Sequence, residues 1–575
     1  ILTLIIALLI SFFLSITFIP KLLHILYKNG TGKTKVERWF DRFYDMTIGR
    51  LVNPYLNVIK FTNKKWRFGR RALLTIGVLA LLMVSVKNIM PTIGKDAMPP
   101  MDTGIVKAQI GFSSNETVNS AEEKIAPFLT WLHQQDWVVR SSVAFGTEAG
   151  VLSLGSGNLP AEATITINCV DRFSRKQDIW TIEDSLRTKL AELEEIKKLD
   201  VFDFGATALS SIKAPLVVRI KSAVVDGLPD KSYEVEKAIR QVKGLTSISR
   251  SWDKDFSEIV LDIDENRALS YGVTPYQIAM QLPIKGQVVD LAANLQSLNT
   301  QPVRLYLKGK FSENEQTLRL LPIKTKMGDV PLETFAKISK QLTYAKLERD
   351  KMLYSLDVSG FRTKRPITHL TDDAEKALEK VKADHAEVIF SEDGDIAQIH
   401  DSFARMIKAI GLGILLLFMV LIAIYRSVGM SLVMILVLPL AMIGAAWSML
   451  LFHKPSCMPS LLGILLLFGI IIKNAVLLID FYQHHRQAGE SPFESALESV
   501  QVRFRPVMMT AFGTIAGMIP IALEQAVGLE RLSPLADVAV GGLLIGTLLT
   551  LIYIPMFAYS IDRDETPVLD GGEDE

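Results

Sequence analysis

The chain is poor in the features that usually announce chemistry. Its 575 residues hold two cysteines, Cys169 and Cys457, too far apart for a disulfide framework or a metal-ligand spacing. It has no surplus of either charge: 63 Lys and Arg face 62 Asp and Glu, and no basic stripe or nucleic-acid motif occurs, so no nucleic-acid partner is expected. No nucleophile triad, phosphate-cradling glycine loop or metal spacing appears. The paired His484 and His485 read as a surface feature. Neither an enzyme nor a bound cofactor or metal is expected. No basic stretch precedes the opening apolar run, which argues against a signal peptide, and Ile1 is expected to lie inside something longer.

Apolar runs are plentiful. At 49% hydrophobic the composition fits a membrane bundle carrying a large soluble domain. The run Leu461–Tyr482, LLGILLLFGIIIKNAVLLIDFY, organises the reading. It is long enough to cross the roughly 30 Å hydrocarbon core as a helix. Lys473 stands near its middle, with Asn474 beside it and Asp480 two helical turns on, on the same face. A lysine at that depth costs about 2.5–3.5 kcal/mol on insertion scales. Snorkelling would have to cover about nine residues, roughly 13 Å. Such a residue either locks helix packing or belongs to an ion or proton relay with a carboxylate on another helix.

Residues 1–27 read as a first span. Residues 28–71 form a linker; 13 Lys or Arg against three acids over positions 21–71 mark its side as cytoplasmic. Within it, Val36–Ile59 has the spacing of an amphipathic helix, lying on the inner membrane surface or packed on neighbouring protein. Residues 72–91 cross back. The next 310 residues, Thr92–Asp401, contain no span and are placed outside the cytoplasm. They read as alternating strands and helices of an α+β domain. Residues 92–215 give the order β-α-β-β-α-β of a ferredoxin-like module, with a helix over Thr181–Lys198. A second module starts in 216–255 and closes in 351–400, with Glu258–Asp264 read as one of its strands. Residues 256–350 form an inserted subdomain. Five further spans occupy 401–560 (about 406–425, 430–452, 461–482, 507–523 and 536–560), seven in all, and an acidic tail follows at 561–575.

Several motifs carry a resemblance. GIIIKNAVLLIDF (469–481) and RFRPVMMTAFGTIAGMIPIAL (503–523) lie in the membrane part; IVLDIDENRALSYGVT (259–274), GDVPLETFAKI (328–338) and AKLERDKM (345–352) lie outside it. With one orphan span, then one span, an outer domain and five spans, the chain resembles the C-terminal half, plus the preceding span, of the resistance-nodulation-division (RND) efflux permeases, hydrophobe and amphiphile branch.

The resemblance implies a proton-driven exporter of hydrophobic small molecules, powered by the proton gradient. It implies a homotrimer in a Gram-negative inner membrane, its large domain in the periplasm, with a periplasmic adaptor protein and an outer-membrane channel as partners. The missing N-terminal half would carry an aspartate pair facing Lys473. Carried over onto this chain, the relay comprises Lys473, Asn474, Asp480, Arg503 and Thr510. Phe145, Gly146, Gly150 and Gly155 fall in the substrate pathway, and Gln301, Pro302 and Arg304 in the docking element.

Blander roles stand beside these. Thr510 can bond back to its own helix, Asn474 can pack helices, and Asp480 and Arg503 can be interfacial charges. Metal export is disfavoured because Gly104–Phe112 has no methionine, and one phenylalanine near a Gly-rich loop weakens polyspecific drug capture. Lipid or heavy-metal export, or a non-transporting assembly or sensor role, remain the alternatives.

Overall fold

The computed structural model describes residues 2–27, 49–62, 67–146, 159–160, 162–204, 214–282, 289–290, 304–305 and 318–562. They divide into two compact units, residues 1–99 with 401–575, and residues 100–400.

The chain opens with helix α1 (Leu2–Tyr27). Helix α2 (Gly49–Thr62) is the described part of the expected amphipathic linker. It buries Ile59 completely and sets Tyr55 edge-on against Phe504, 5.3 Å between centroids, so it packs on protein. Helix α3 (Arg67–Val84) runs on through a π segment, Ser85–Ile89, into Met90–Ile93.

In residues 100–400, strand β1 (Ile105–Gly111), helix α4 (Val118–Leu132), strands β2 (Val138–Phe145) and β3 (Ala163–Cys169), helix α5 (Ile179–Leu190) and strand β4 (Lys198–Asp203) build a four-stranded antiparallel sheet ordered β2-β3-β1-β4. The helices cover one face of it, Ile125, Phe128, Leu132, Ile182 and Leu186 packing on Val106, Ile165 and Ile167. Helix α5 is shorter than expected: it stops at Leu190, where Glu192, Glu194 and Glu195 would lie at the negative end of the helix dipole, and Glu195 turns to φ +61°.

The same connection order recurs in β5 (Leu216–Ser222), α6 (Leu228–Ile239), β6 (Leu245–Arg250) and, much later, in β14 (Leu353–Arg362), α9 (Ile367–Asp384) and β15 (Ile389–Gly394). Their order across the sheet is β6-β14-β5-β15, all antiparallel.

Between the two halves come β7 (Phe256–Ile263), α7 (Glu265–Ser270), α8 (Pro275–Gln281), the short pair β8 (Val289–Asp290) and β9 (Arg304–Leu305), the hairpin β10–β11 (Pro322–Thr325, Gly328–Pro331), β12 (Ala336–Thr343) and β13 (Glu348–Asp350). Strand β7 does not join the second module. All eight of its residues pair with β12, while β5 is flanked by β14 and β15, and the other edge of β14 is taken by β6 and β13. A strand has two edges, and those of the central strands are full.

The membrane-type helices follow: α10 (Asp395–Tyr425), α11 (Val428–Leu436), α12 (Leu438–Leu451), α13 (Met458–Gln487), α14 (Pro492–Ala522) and α15 (Ser533–Ile561). Among the described residues six stretches are long and apolar enough to cross a membrane: Gly69–Ile93, Ile399–Tyr425, Val428–Leu451, Met458–Gln487, Pro492–Ala522 and Ser533–Ile561; Leu9–Ile25 is shorter. Helix α14 starts well before the expected position 507, because Ser491 accepts the Glu494 amide as N-cap and Pro492 occupies the first turn.

Helix α15 is the centre of this unit. A Cβ placed on Gly444 of α12 would stand 2.1 Å from the Gly541 carbonyl oxygen, and one on Gly542 would stand 2.2 Å from Leu467 of α13. Small residues let these backbones touch. The C-terminal ends of α13 and α15 are tied by polar contacts: Tyr482 and Arg486 both donate to Asp562, each at 2.7 Å, and Arg71 donates to Ser560 while stacking over Tyr559.

Candidate functional site

Helix α13 presents two faces. One is buried against α15, through Leu467, Ile471, Leu478 and others. The other is uncovered and carries Leu462, Leu466, Gly469, Lys473 and Asp480, positions three, four and seven apart that fall on one side of a helix. Lys473 makes no hydrogen bond or ion pair among the described residues. A Cβ on Gly469 would meet nothing within 4 Å. The uncovered stripe is therefore apolar at one end, small in the middle and charged beyond, with no counter-ion for its lysine among the described residues.

Asn474 points the other way. It is 2% exposed and its Nδ2 has no partner among the described residues. Arg503 of α14 lies over the Phe481 ring, 3.6 Å from its centroid, next in sequence to Asp480, and its Nε is buried without a partner. Thr510 donates to the Val507 carbonyl of its own helix, 2.9 Å, which is the local back-bond of a helical threonine. Two glycines beyond it on α14, Gly513 and Gly517, also face open space. The structure thus sets Lys473 and Asp480 on one face and Arg503 against that helix's C-terminal part, while Asn474 is turned into the bundle.

In the unit of residues 100–400, Phe145 ends β2 and packs on the first module's core. Gly146 follows at φ +70°, its amide bonded to the Glu162 carbonyl at 2.8 Å, a left-handed turn suited to glycine. Gly150, Gly155, Gln301 and Pro302 lie outside the described residues. Arg304 pairs through its backbone with Asp290.

A cleft that the sequence reading missed lies between the two modules of this unit. Met101, Trp180, Glu183, Phe202, Asp203 and Phe361 line it. Phe202 and Phe361 stack at 4.5 Å with planes 7° apart, and Lys364 lies 4.0 Å over Trp180. Burial pushes the Glu183 carboxyl up to about 7, an effect that Arg187 at 2.7 Å only partly offsets. Burial also raises the Asp203 carboxyl well above the carboxylate range, although Thr103 donates to it. Aromatic walls with a few convergent polar groups are what an organic ligand needs. Beside the cleft, Asp102 holds Arg175 in a buried ion pair. Among the described residues no group of three or more His, Cys, Asp and Glu is placed to hold a metal ion.

The sequence profile of the AcrB/AcrD/AcrF family matches residues 1–562. The chain belongs to this family. The RND resemblance read from the motifs agrees with that assignment. Among curated relatives, the chain is similar to the swarming motility protein SwrC of Bacillus subtilis (strain 168), 25% identical over 574 residues, 96% of this chain and 51% of the relative. It is also similar to the multidrug resistance protein MdtC of Erwinia tasmaniensis (strain DSM 17950 / CFBP 7177 / CIP 109463 / NCPPB 4357 / Et1/99), 25% identical over 498 residues, 85% of this chain and 46% of the relative. The chain spans about half the length of these relatives. Its fold matches a crystal structure of a heavy metal efflux pump (crystal form II) with TM-score 0.76 at 18% identity, over 89% of this chain and 52% of the other. This efflux-permease family member thus shares the pump's fold.

Proposed function

We propose that this family member is the C-terminal half of a proton-driven efflux permease. In this reading seven spans sit in a Gram-negative inner membrane, and residues 100–400 stand in the periplasm as two ferredoxin-like modules around a docking insert. The assembly is a homotrimer joined by a periplasmic adaptor and an outer-membrane channel. The observation that carries the reading is Lys473, uncovered and without a partner among the described residues, in the middle of a stripe that is apolar on one side of it and ends at Asp480 on the other. A membrane lysine needs a counter-ion, and a carboxylate pair on the other half supplies it. When the carboxylates ionise, Lys473 neutralises them; when they take up protons, that attraction is lost and the stripe is free to change partners. The cleft lined by Trp180, Phe202 and Phe361 supplies an aromatic surface for a hydrophobic substrate, and residues 256–350 supply the docking element.

The test is transport of a hydrophobic dye by the chain in proteoliposomes under an imposed pH gradient, alone and with the N-terminal half supplied in trans. Gradient-driven transport is expected only with both halves and is abolished by Lys473→Ala at unchanged membrane abundance. Transport by this chain alone, or normal transport by the variant, refutes the reading.

A further inference from the structure

One buried carboxylate has no place in the relay reading. Asp537 lies in the first turns of α15 and is 0% exposed. Its Oδ1 has no partner among the described residues, and its Oδ2 has only the Ser533 hydroxyl, 3.4 Å away. The packing around it is tight: Ser448 of α12 donates to the Asp537 backbone carbonyl at 2.7 Å, and Gly463 of α13 abuts Leu535 and Val538. It is also well apart from Lys473. Gly546, nine residues further along α15, is the position that meets Ile471 beside that lysine, so about 13 Å of helix separates the two levels.

The charged groups near Asp537 are accounted for. Lys454, after α12, is near enough for its charge to be felt, but its ammonium is engaged by Glu524, after α14. Glu524 adds a further negative charge. In the turn before α15, Glu530 is 2% exposed, and both it and Arg531 have partners of their own. The first turn of α13 offers Cys457 and Ser460, which are uncharged and bonded to each other's residues. An ionised carboxylate here would be buried with no cation in contact, which costs several kcal/mol. A neutral acid has no such cost.

We propose that Asp537 is a proton-binding site of the membrane unit, separate from the Lys473 stripe, which takes up one proton from the side of the Lys454 and Glu524 loops. Binding converts the carboxylate to a carboxylic acid. Release leaves a charge that draws Lys454 away from Glu524, so the bound proton sets which acid Lys454 holds. This couples an occupancy of one proton to the loops that join α12 to α13 and α14 to α15.

The test is infrared spectroscopy of the full chain in lipid at neutral pH. The wild type is expected to show the carbonyl stretch of a protonated carboxylic acid, shifted in heavy water, which Asp537→Asn removes. The stability of Asp537→Asn should come nearest the wild type at about pH 3, below the ordinary carboxyl value, and exceed it at about pH 9, where the wild-type proton is lost. Lys454→Gln, measured in the otherwise wild-type chain, should keep the band and carry it to higher pH, because the ammonium favours the ionised form. A difference spectrum holding only carboxylate bands overturns the proposal. So does a protonated band that is lost in Lys454→Gln, or an Asn variant as destabilised at acid as at alkaline pH.

Discussion

Replacing Asp200 with asparagine should stabilise the unit of residues 100–400 at neutral pH. Asp200 sits on β4 and is 2% exposed. Ser249 on β6 donates to its Oδ2 at 2.8 Å, while Oδ1 has no partner among the described residues. Burial raises its carboxyl from 3.8 to about 6; Lys198, at 3.9 Å, and the Ser249 hydroxyl offset only part of this. At ~1.4 kcal/mol per tenfold change, that rise corresponds to about 3 kcal/mol. The sign follows from proton counting. Between pH 4 and about 6 the folded unit holds a proton that the unfolded chain has released, so stability falls as pH rises through that window and stays lower above it. The side chain introduced by Asp200→Asn keeps an acceptor for Ser249 and carries no charge, so the variant should lose this pH dependence and gain up to about 3 kcal/mol at pH 7. Hydrogen-exchange protection of the β4 and β6 amides at about pH 5 and about pH 8 reads the effect locally. Equal protection in wild type and variant at both pH values, or a variant less protected at the higher pH, refutes the reasoning.

Other outcomes follow from single contacts. Gly542→Val forces a branched side chain onto Leu467, where even a Cβ would lie at 2.2 Å; it should cost at least about 1–3 kcal/mol of bundle stability, visible as a lower midpoint in thermal unfolding in detergent. Arg219 is paired to Asp357 by two 2.7 Å bonds and to Asp393 at 3.0 Å. Arg219→Ala leaves those acids facing each other across β5, β14 and β15 and should cost about 2–4 kcal/mol after allowing for partial exposure, measured by chemical denaturation. Deleting 301–314 should spare the thermal unfolding of the chain but abolish co-purification with an outer-membrane partner; co-purification at normal yield counts against a docking role.

Helix α13 was legible because its signal is local. Lys473 and Asp480 lie two turns apart in one apolar run, and the structure leaves both on the uncovered face. Both outer modules were legible from their alternating strands and helices, even with the second split by the insert. Strand β7 falls in the insert rather than the second module because periodicity shows that a segment is a strand but not which edge is free to receive it. The cleft was missed for a different reason: Trp180, Phe202 and Phe361 come from three distant segments, and each alone reads as ordinary core. In the sequence Asp537 reads as a residue at the start of a span next to a loop; its burial depends on Ser448 and on Gly463 lying close to the first turns of α15, neighbours that only the folded bundle supplies. A buried acid in a strand that reads as core, as Asp200 does in KLDVFD, is the one sequence signal that could have pointed to the seam between the modules.

The glycines of α15 also decide which parts of the membrane unit have mechanical freedom. Where Gly444 meets Gly541 and Gly542 meets Leu467, a slide of one helical residue, ~1.5 Å, would drive side-chain atoms into backbone. Helices α12, α13 and α15 are therefore locked in register and can shift only together, as one lever. Compliance is left to the joints around that lever: the break at Val437 between α11 and α12, and the π segment Ser85–Ile89, whose Ser85 hydroxyl receives the Trp447 indole N–H at 3.1 Å.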